Sequence, residues 1–296
     1  SLHAQSPSLI HRRRTTIELV RDPNRMERLA DIRDRVTILQ ADICDASAVA
    51  RVVQDANPAW IFHMANAPLI AGVSVSDAQM FSTNTLGLMH LLAACKQLPV
   101  TAFINGGSSA EYGQTAVAMT EMMVCAPRTP YAVSKLAATT YASMVGKNDG
   151  FPIVTFRLFS PFGPGDASER FLPRLIRACQ SSTPLAVAPD AQRDYIPVAV
   201  AVDMMVRAAG MLTKEHAGEI YNLGTGQMQT MRDLVARVTT VTQSPAQVTW
   251  DPAQERLWAS PVWYADMTKT CTAFGPLAPY SFDDALRETL VCMQTP

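Results

Sequence analysis

Apolar and amphipathic stretches alternate along most of this 296-residue chain. Short apolar runs at Thr15–Val20, Val36–Gln40 and Trp60–Met64 read as strands, because each is bounded by polar or turn-forming residues. Ala46–Ala56 and Thr83–Lys96 carry their apolar residues at helical spacing and read as helices. Val100–Ile104 is a further buried strand that runs into small hydroxyl residues. Thr129-Pro130 forms a helix start, with the threonine as cap and the proline at the first helical position. Ile153–Phe159 is a strand, Phe171–Ile176 opens a helix, and Tyr195–Val198 is strand-like. Met204–Leu212 is an apolar helix whose methionines belong to the core. Ile220–Leu223 is a strand, and Thr230–Thr242 and Asp283–Met293 are helices. Strands alternating with helices of this length predict an α/β fold, a doubly wound parallel sheet of the Rossmann type. A composition shift after Gly150 predicts two unequal units. One spans 1–165, with part of 194–228 returning to it, and the other, smaller, spans 166–296.

Composition narrows the function. With 48% hydrophobic residues the chain can bury a sizeable core, so disorder is excluded. A formal charge of −1 gives no support for nucleic-acid binding. No apolar run reaches the ~18 residues needed to span a bilayer. The six cysteines (44, 95, 125, 179, 271 and 292) are scattered, without C-x-x-C or metal-ligand spacing. A reduced, cytoplasmic protein without a metal is the expectation.

Candidate chemistry gathers in Tyr131-Ala132-Val133-Ser134-Lys135. On a helix Tyr131 and Lys135 lie one turn apart on one face. An ammonium held there is expected to favour the phenolate and lower the tyrosine pKa from ~10, making it a usable acid or base. An isolated Y-x-x-x-K is more often a surface pair; here the upstream stretch Phe103-Ile104-Asn105-Gly106-Gly107-Ser108-Ser109-Ala110-Glu111-Tyr112-Gly113 changes the picture. It puts Ser108 and Ser109 at the carboxyl end of a strand, where ligands gather in open α/β sheets.

Together these segments resemble the extended short-chain dehydrogenase/reductase family, the NAD-dependent epimerase/dehydratase branch that modifies nucleotide sugars. Further matches follow in order. They are Ile61–Ala65 (the "hLAA" strand), Asn84-Thr85-Leu86-Gly87 ("NxxG") and Arg157–Gly165 ("RxxNxxGPG"). Arg193-Asp194-Tyr195-Ile196 ("RDFV"), Asn222–Gly226 ("NxGxG") and Asp266–Lys269 ("DxSK") complete them. The resemblance implies that the 1–165 unit is a dinucleotide-binding domain and the 166–296 unit a substrate domain. It implies an enzyme with Ser108, Tyr131 and Lys135 as catalytic residues. Tyr131 would exchange a proton with a sugar oxygen, Lys135 would hold the nicotinamide ribose, and Ser108 would orient the reacting oxygen. It implies NADP or NAD as cofactor, contacted by Arg21, Asp42, Ile43, Met64, Ala65, Asn66, Asn84, Phe159 and Pro161. Arg21 followed by Asp22 leans toward NADP, since arginine accommodates a 2′-phosphate. A nucleotide-diphosphate sugar is implied as substrate, contacted by Ser109, Ser160, Arg170, Arg174 and Arg193. Ser160 stands where relatives often carry asparagine. A homodimer through helices near 83–96 and 131–146 is implied as well.

Departures from the pattern refine these expectations. Ser1–Arg14 lacks the family's opening strand and glycine turn, and the first glycine is Gly72. A truncated N-terminus is expected rather than a cofactor-poor relative. Sugar-nucleotide 4,6-dehydratases place an acid two residues before the tyrosine of "YG", where this chain has Ala110. Glu111, one place later, is expected to make a structural hydrogen bond, which favours an epimerase or 4-ketoreductase over a dehydratase. Ala199-Val200 replace a family acid pair, with Asp203 as a substitute helix cap. His63 reads as a core histidine. Trp258 and Trp263 are either pocket walls or packing. The rival class is a non-catalytic binding or scaffold relative.

Overall fold

The computed structural model describes residues 16–21, 32–68, 74–181, 184–189, 191–254 and 262–294. Strand β1 (Thr16–Val20) pairs in parallel with β2 (Val36–Gln40). Helix α1 (Ala46–Ala56), capped by the Asp45 carboxylate, leads to β3 (Trp60–His63). The next helical run is longer than its periodicity predicts. It begins with α2 (Asp77–Phe81), passes through a π-helical turn at Ser82–Leu86, and continues as α3 (Gly87–Cys95). The Ser76 hydroxyl caps this run by accepting from Gln79 N (3.2 Å), a start signal ahead of the apolar periodicity. β4 (Ala102–Ser108), α4 (Pro130–Asp149) and β5 (Ile153–Leu158) follow.

The remainder comprises β6 (Pro161–Phe162), α5 (Phe171–Gln180), β7 (Leu185–Val187), β8 (Gln192–Arg193), β9 (Ile196–Pro197) and α6 (Val198–Met211). Then come β10 (Ile220–Leu223), β11 (Gln229–Thr230), α7 (Met231–Thr242), β12 (Val248–Trp250), α8 (Thr268–Phe274) and α9 (Phe282–Gln294). The strand expected at Tyr195–Val198 shrinks to two residues, and α6 starts at Val198, well before Met204. Asp203 does not cap it. That carboxylate lies within the helix and accepts from Arg207 Nη2 at 2.8 Å.

The central sheet is parallel, in the order β10-β5-β4-β3. Its alternating side chains feed two cores. Ala102, Ile104, Val154 and Phe156 face α6 and α8, whereas Phe103 and Ile153 face α1, α3 and α4. Helices on both faces make a doubly wound α/β arrangement. The β1–β2 pair is hydrogen-bonded as a sheet of its own rather than as a continuation of the four strands. A third core joins α5, α7, α9 and β7 around Leu172, Leu175, Leu234 and Leu286. Among the described residues, no helix is long and apolar enough to cross a membrane.

Candidate active site

The carboxyl ends of β3 and β4 and the start of α4 meet at one place. Ser108 is the last residue of β4, and its hydroxyl accepts from Ala110 N (3.2 Å), holding a tight turn over Ser109–Tyr112. Thr129 caps α4 through Ala132 N (3.1 Å), with Pro130 at the first turn, so Tyr131 projects from the helix start. The Tyr131 hydroxyl stands close enough to the side chains of Ser108 and Asn66 for both to act on its pKa. One turn on, the buried Lys135 Nζ donates to the Gly106 carbonyl within β4. Asn84, in the π turn, bonds both backbone groups of Ala67 (2.7 and 3.2 Å) and donates to Ser134 Oγ (3.0 Å). Thr85 Oγ1 adds a bond to the Ser134 carbonyl (2.9 Å). The π turn therefore clamps the segment after β3 onto α4.

The electrostatics correct one expectation. Burial pushes the Tyr131 phenol up, not down. The Ser108 hydroxyl, Arg170 and the Asn66 amide pull it back, while Glu111 adds to the rise. Lys135 is not among the groups that lower it; its ammonium donates to the Gly106 carbonyl and acts instead on His63. Burial drops its own pKa to about 8, against an opposing contribution from Glu111. His63 is buried beside Phe103, and burial with the nearby Lys135 lowers it to about 3, so it is a neutral core histidine.

The remaining candidates fall into two groups. Met64, Ala65 and Asn66 are exposed at the end of β3, immediately after the buried His63. Asp42 and Ile43 occupy the corresponding end of β2. The Asp42 carboxylate accepts from Cys44 N (2.9 Å), and Ile43 packs on Gly87, where a Cβ would come within 2.8 Å of it. Arg21 is exposed at the end of β1, its carbonyl accepting from Gln40 Nε2 (3.2 Å). Arg170 precedes α5, pairs with Asp166 (3.2 Å), and lies near enough to influence Tyr131. Ser160 follows β5 at φ 22°, a left-handed backbone that asparagine tolerates better than serine.

Other positions are committed elsewhere. Phe159 is fully buried and packs with Tyr112, Met119, Trp263 and Ala265. Ser109 is buried and accepts from Trp263 Nε1 (3.0 Å). Arg193 lies over the Trp263 ring (4.9 Å) and donates to the Gln192 carbonyl (2.6 Å). Trp263 is thus a packing residue. Pro161 belongs to β6, paired with Ile196, and Arg174 is exposed on α5, one turn beyond Arg170. Asp22, Trp258 and the segment where a glycine turn is expected lie outside the described residues.

Two buried carboxylates were not singled out for the site by sequence. Asp194 accepts from Thr225 N (2.8 Å), Thr225 Oγ1 (2.6 Å), Gly226 N (3.0 Å) and Ala265 N (3.2 Å), holding the Gly224–Gly226 loop. Glu111, fully buried, accepts from Arg157 Nε (2.8 Å), Ser108 N (2.8 Å) and Thr139 Oγ1 (3.0 Å). The signal for the latter was Arg157 itself, since an arginine inside an apolar strand requires a buried acid.

A doubly wound parallel sheet with Ser108 and Tyr131 at its strand ends is a frame that binds dinucleotides at that edge. The chain belongs to the NAD dependent epimerase/dehydratase family, whose model matches residues 6–224. Among curated relatives, it is 29% identical to GDP-6-deoxy-D-mannose reductase of Pseudomonas aeruginosa over 210 residues. That match covers 67% of this chain and 68% of the relative. The fold matches UDP-glucuronic acid 4-epimerase of Bacillus cereus, in complex with UDP-glucuronic acid and NAD. The TM-score is 0.80 at 22% identity, covering 90% of this chain and 84% of that one. It also matches RMD from Pseudomonas aeruginosa complexed with NADPH. There the TM-score is 0.75 at 23% identity, covering 88% and 91% of the two chains.

Proposed function

We propose that this protein is an NAD(P)-dependent enzyme that acts on a nucleotide-diphosphate sugar as a 4-ketoreductase or epimerase. The observation that carries this reading is the convergence of Tyr131, Ser108 and Asn66 at the strand ends, with Lys135 one turn behind. The chemistry of the site fits a nicotinamide dinucleotide. Exposed Met64, Ala65 and Asn66 would hold the nicotinamide end, and Asp42, Ile43 and Arg21 the adenosine end. When bound, the nicotinamide supplies or takes up the hydride at the sugar carbon.

Every other role falls to this chain. A phenol whose pKa is raised stays protonated at neutral pH, so Tyr131 is suited to donate its proton to the oxygen of a keto sugar. Ser108 and Asn66 present donors at the same point and would stabilise the oxygen Tyr131 leaves behind. This favours the reductase direction, in keeping with the curated relative's name and the NADPH complex of RMD. Glu111, held in its ion pair, is not free to serve as the acid of a dehydratase. Arg170 acts on the phenol and would face the sugar, with Arg174 and Ser160 toward the nucleotide. The committed Arg193 and Ser109 would contribute through the loops they brace.

We place the division between cofactor and substrate units near residue 165, where the third core begins. The apolar row Val133, Leu136, Ala137 and Met144 on α4, with Val133 and Met144 exposed and the two between half-buried, suits the expected homodimer. The deciding assay mixes the protein with NADPH or NADH and nucleotide-linked 4-keto-6-deoxyhexoses and follows absorbance of the reduced cofactor. Cofactor consumption establishes the reductase. Product without net oxidation establishes the epimerase, and neither outcome with any substrate removes the enzymatic reading.

A further inference from the structure

Beneath the Ser108–Tyr131 contact lies a charge pair sealed from water. Glu111 and Arg157 have side-chain exposures of 0% and 3%. Such a pair is not needed for stability, because apolar residues of similar volume hold a core equally well. What an apolar pair cannot do is bond three different elements at once. Glu111 Oε1 accepts from the backbone N–H of Ser108, at the end of β4, and from the hydroxyl of Thr139 on α4. Its Oε2 accepts from Arg157 on β5. The Arg157 guanidinium also lies over the Tyr112 ring, 4.4 Å from its centroid, which holds the fork in place.

Tyr131, Lys135 and Thr139 succeed one another at four-residue intervals and share a face of α4. Fixing Thr139 against Glu111 therefore fixes how far along and at what rotation Tyr131 and Lys135 stand. The other end of the same carboxylate fixes the backbone of Ser108. We propose that Glu111 is a positioning residue, whose carboxylate locks the helix bearing Tyr131 and Lys135 onto the strand end bearing Ser108. This deepens the reading of those three residues as the site, and it assigns Glu111 no contact with substrate.

A carboxylate in this place also sets the local charge. Lys135 is faced by His63 from β3, the Gly106 carbonyl from β4 and Glu111 from the turn after it. Arg157 approaches from β5, and Arg170 acts on Tyr131 from the start of α5. His63 is neutral, so Glu111 is the negative group among them.

The test is read in the full chain without substrate or cofactor, so it stands whether or not the proposed reaction is found. Lysine is labelled with ¹³C at Cε, and the Lys135 signal, assigned by its loss in Lys135→Arg, is followed with pH. In Glu111→Gln an oxygen acceptor remains for Ser108 and Thr139 while the charge is lost. The Lys135 midpoint, about 8 in the parent, should then fall by roughly half a pH unit or more. A Glu111→Gln protein that melts cooperatively with its Lys135 midpoint unmoved would overturn the proposal, because the carboxylate would then stand too far from the lysine to hold its helix against the strand end. Should that variant fail to fold, Thr139→Val keeps the ion pair and removes only the link to α4. Its Tyr131 titration, taken as the absorbance difference from Thr139→Val/Tyr131→Phe, should move upward as the phenol drifts from its Ser108 and Asn66 donors. No movement there would equally sink the idea.

Discussion

At the scale of single residues, the site depends on burial more than on a neighbouring cation. Tyr131 is held protonated by its enclosure and is trimmed by the Ser108 and Asn66 donors. Replacing Tyr131 by Phe should reduce turnover by about 10²–10⁴-fold, the usual contribution of a positioned acid. Nucleotide binding, measured by calorimetry, should change little. Lys135 offers a pH test with a defined sign. Its folded pKa, about 8, lies below the unfolded value near 10.5. Between those values the unfolded chain binds more protons, so stability rises with pH across that window. Below pH 8 both states are protonated and the full penalty of burying the ammonium is present. The unfolding free energy of the parent minus that of Lys135→Met should therefore become more positive by ~1–3 kcal/mol from pH 7 to pH 10. Urea denaturation at the two pH values measures it, and a flat difference would mean that the amine is solvated.

At the scale of elements, two devices bring the residues together, and neither is periodic. The π turn at Ser82–Leu86 turns Asn84 inward onto Ala67 and Ser134. Asn84→Ala leaves the buried Ala67 backbone groups without this partner and should cost ~1–3 kcal/mol. Amide exchange at Ala67 should rise with it. The Glu111–Arg157 pair is the other device. Arg157→Met strands a buried carboxylate and should destabilise the protein by ~3–5 kcal/mol, whereas Arg157→Met combined with Glu111→Leu should recover much of that loss. A double-mutant cycle in urea tests this, and strictly additive losses would contradict it. Helix α6 shows why apolar runs mislead at this scale. Its start is wholly apolar, so no periodic contrast marks where the two-residue strand β9 ends.

At the scale of the whole molecule, a four-stranded parallel sheet covered on both faces carries the Tyr131 site at its carboxyl edge. A third core of α5, α7 and α9 stands beyond β6. The apolar row on α4 should be covered in solution by a second copy. Met144→Glu, placed at the 42%-exposed Met144 of that row, should convert a sedimenting dimer into a monomer. A parent that sediments as a monomer at micromolar concentration would remove the dimer from the account. Calorimetric titration should favour NADP over NAD, as the exposed Arg21 at the end of β1 suits a 2′-phosphate. Equal affinity for the two would assign Arg21 to solvent.

The sequence alone determined the alternation of strands and helices, and hence the parallel α/β class. It also determined the ordered motifs that mark the family, because hydrophobic period and turn chemistry are local properties of the chain. Ser108, Tyr131 and Lys135 were legible for the same reason, each lying at a strand end or helix start that local rules locate. Only the tertiary structure decided their electrostatics and company. It set Lys135 against the Gly106 carbonyl, packed Phe159 beside Trp263 and bonded Ser109 to it, and set Glu111 between β4, α4 and β5. Desolvation and hydrogen-bond partners depend on groups that are remote in sequence. The spacing of residues along one helix therefore could not report them.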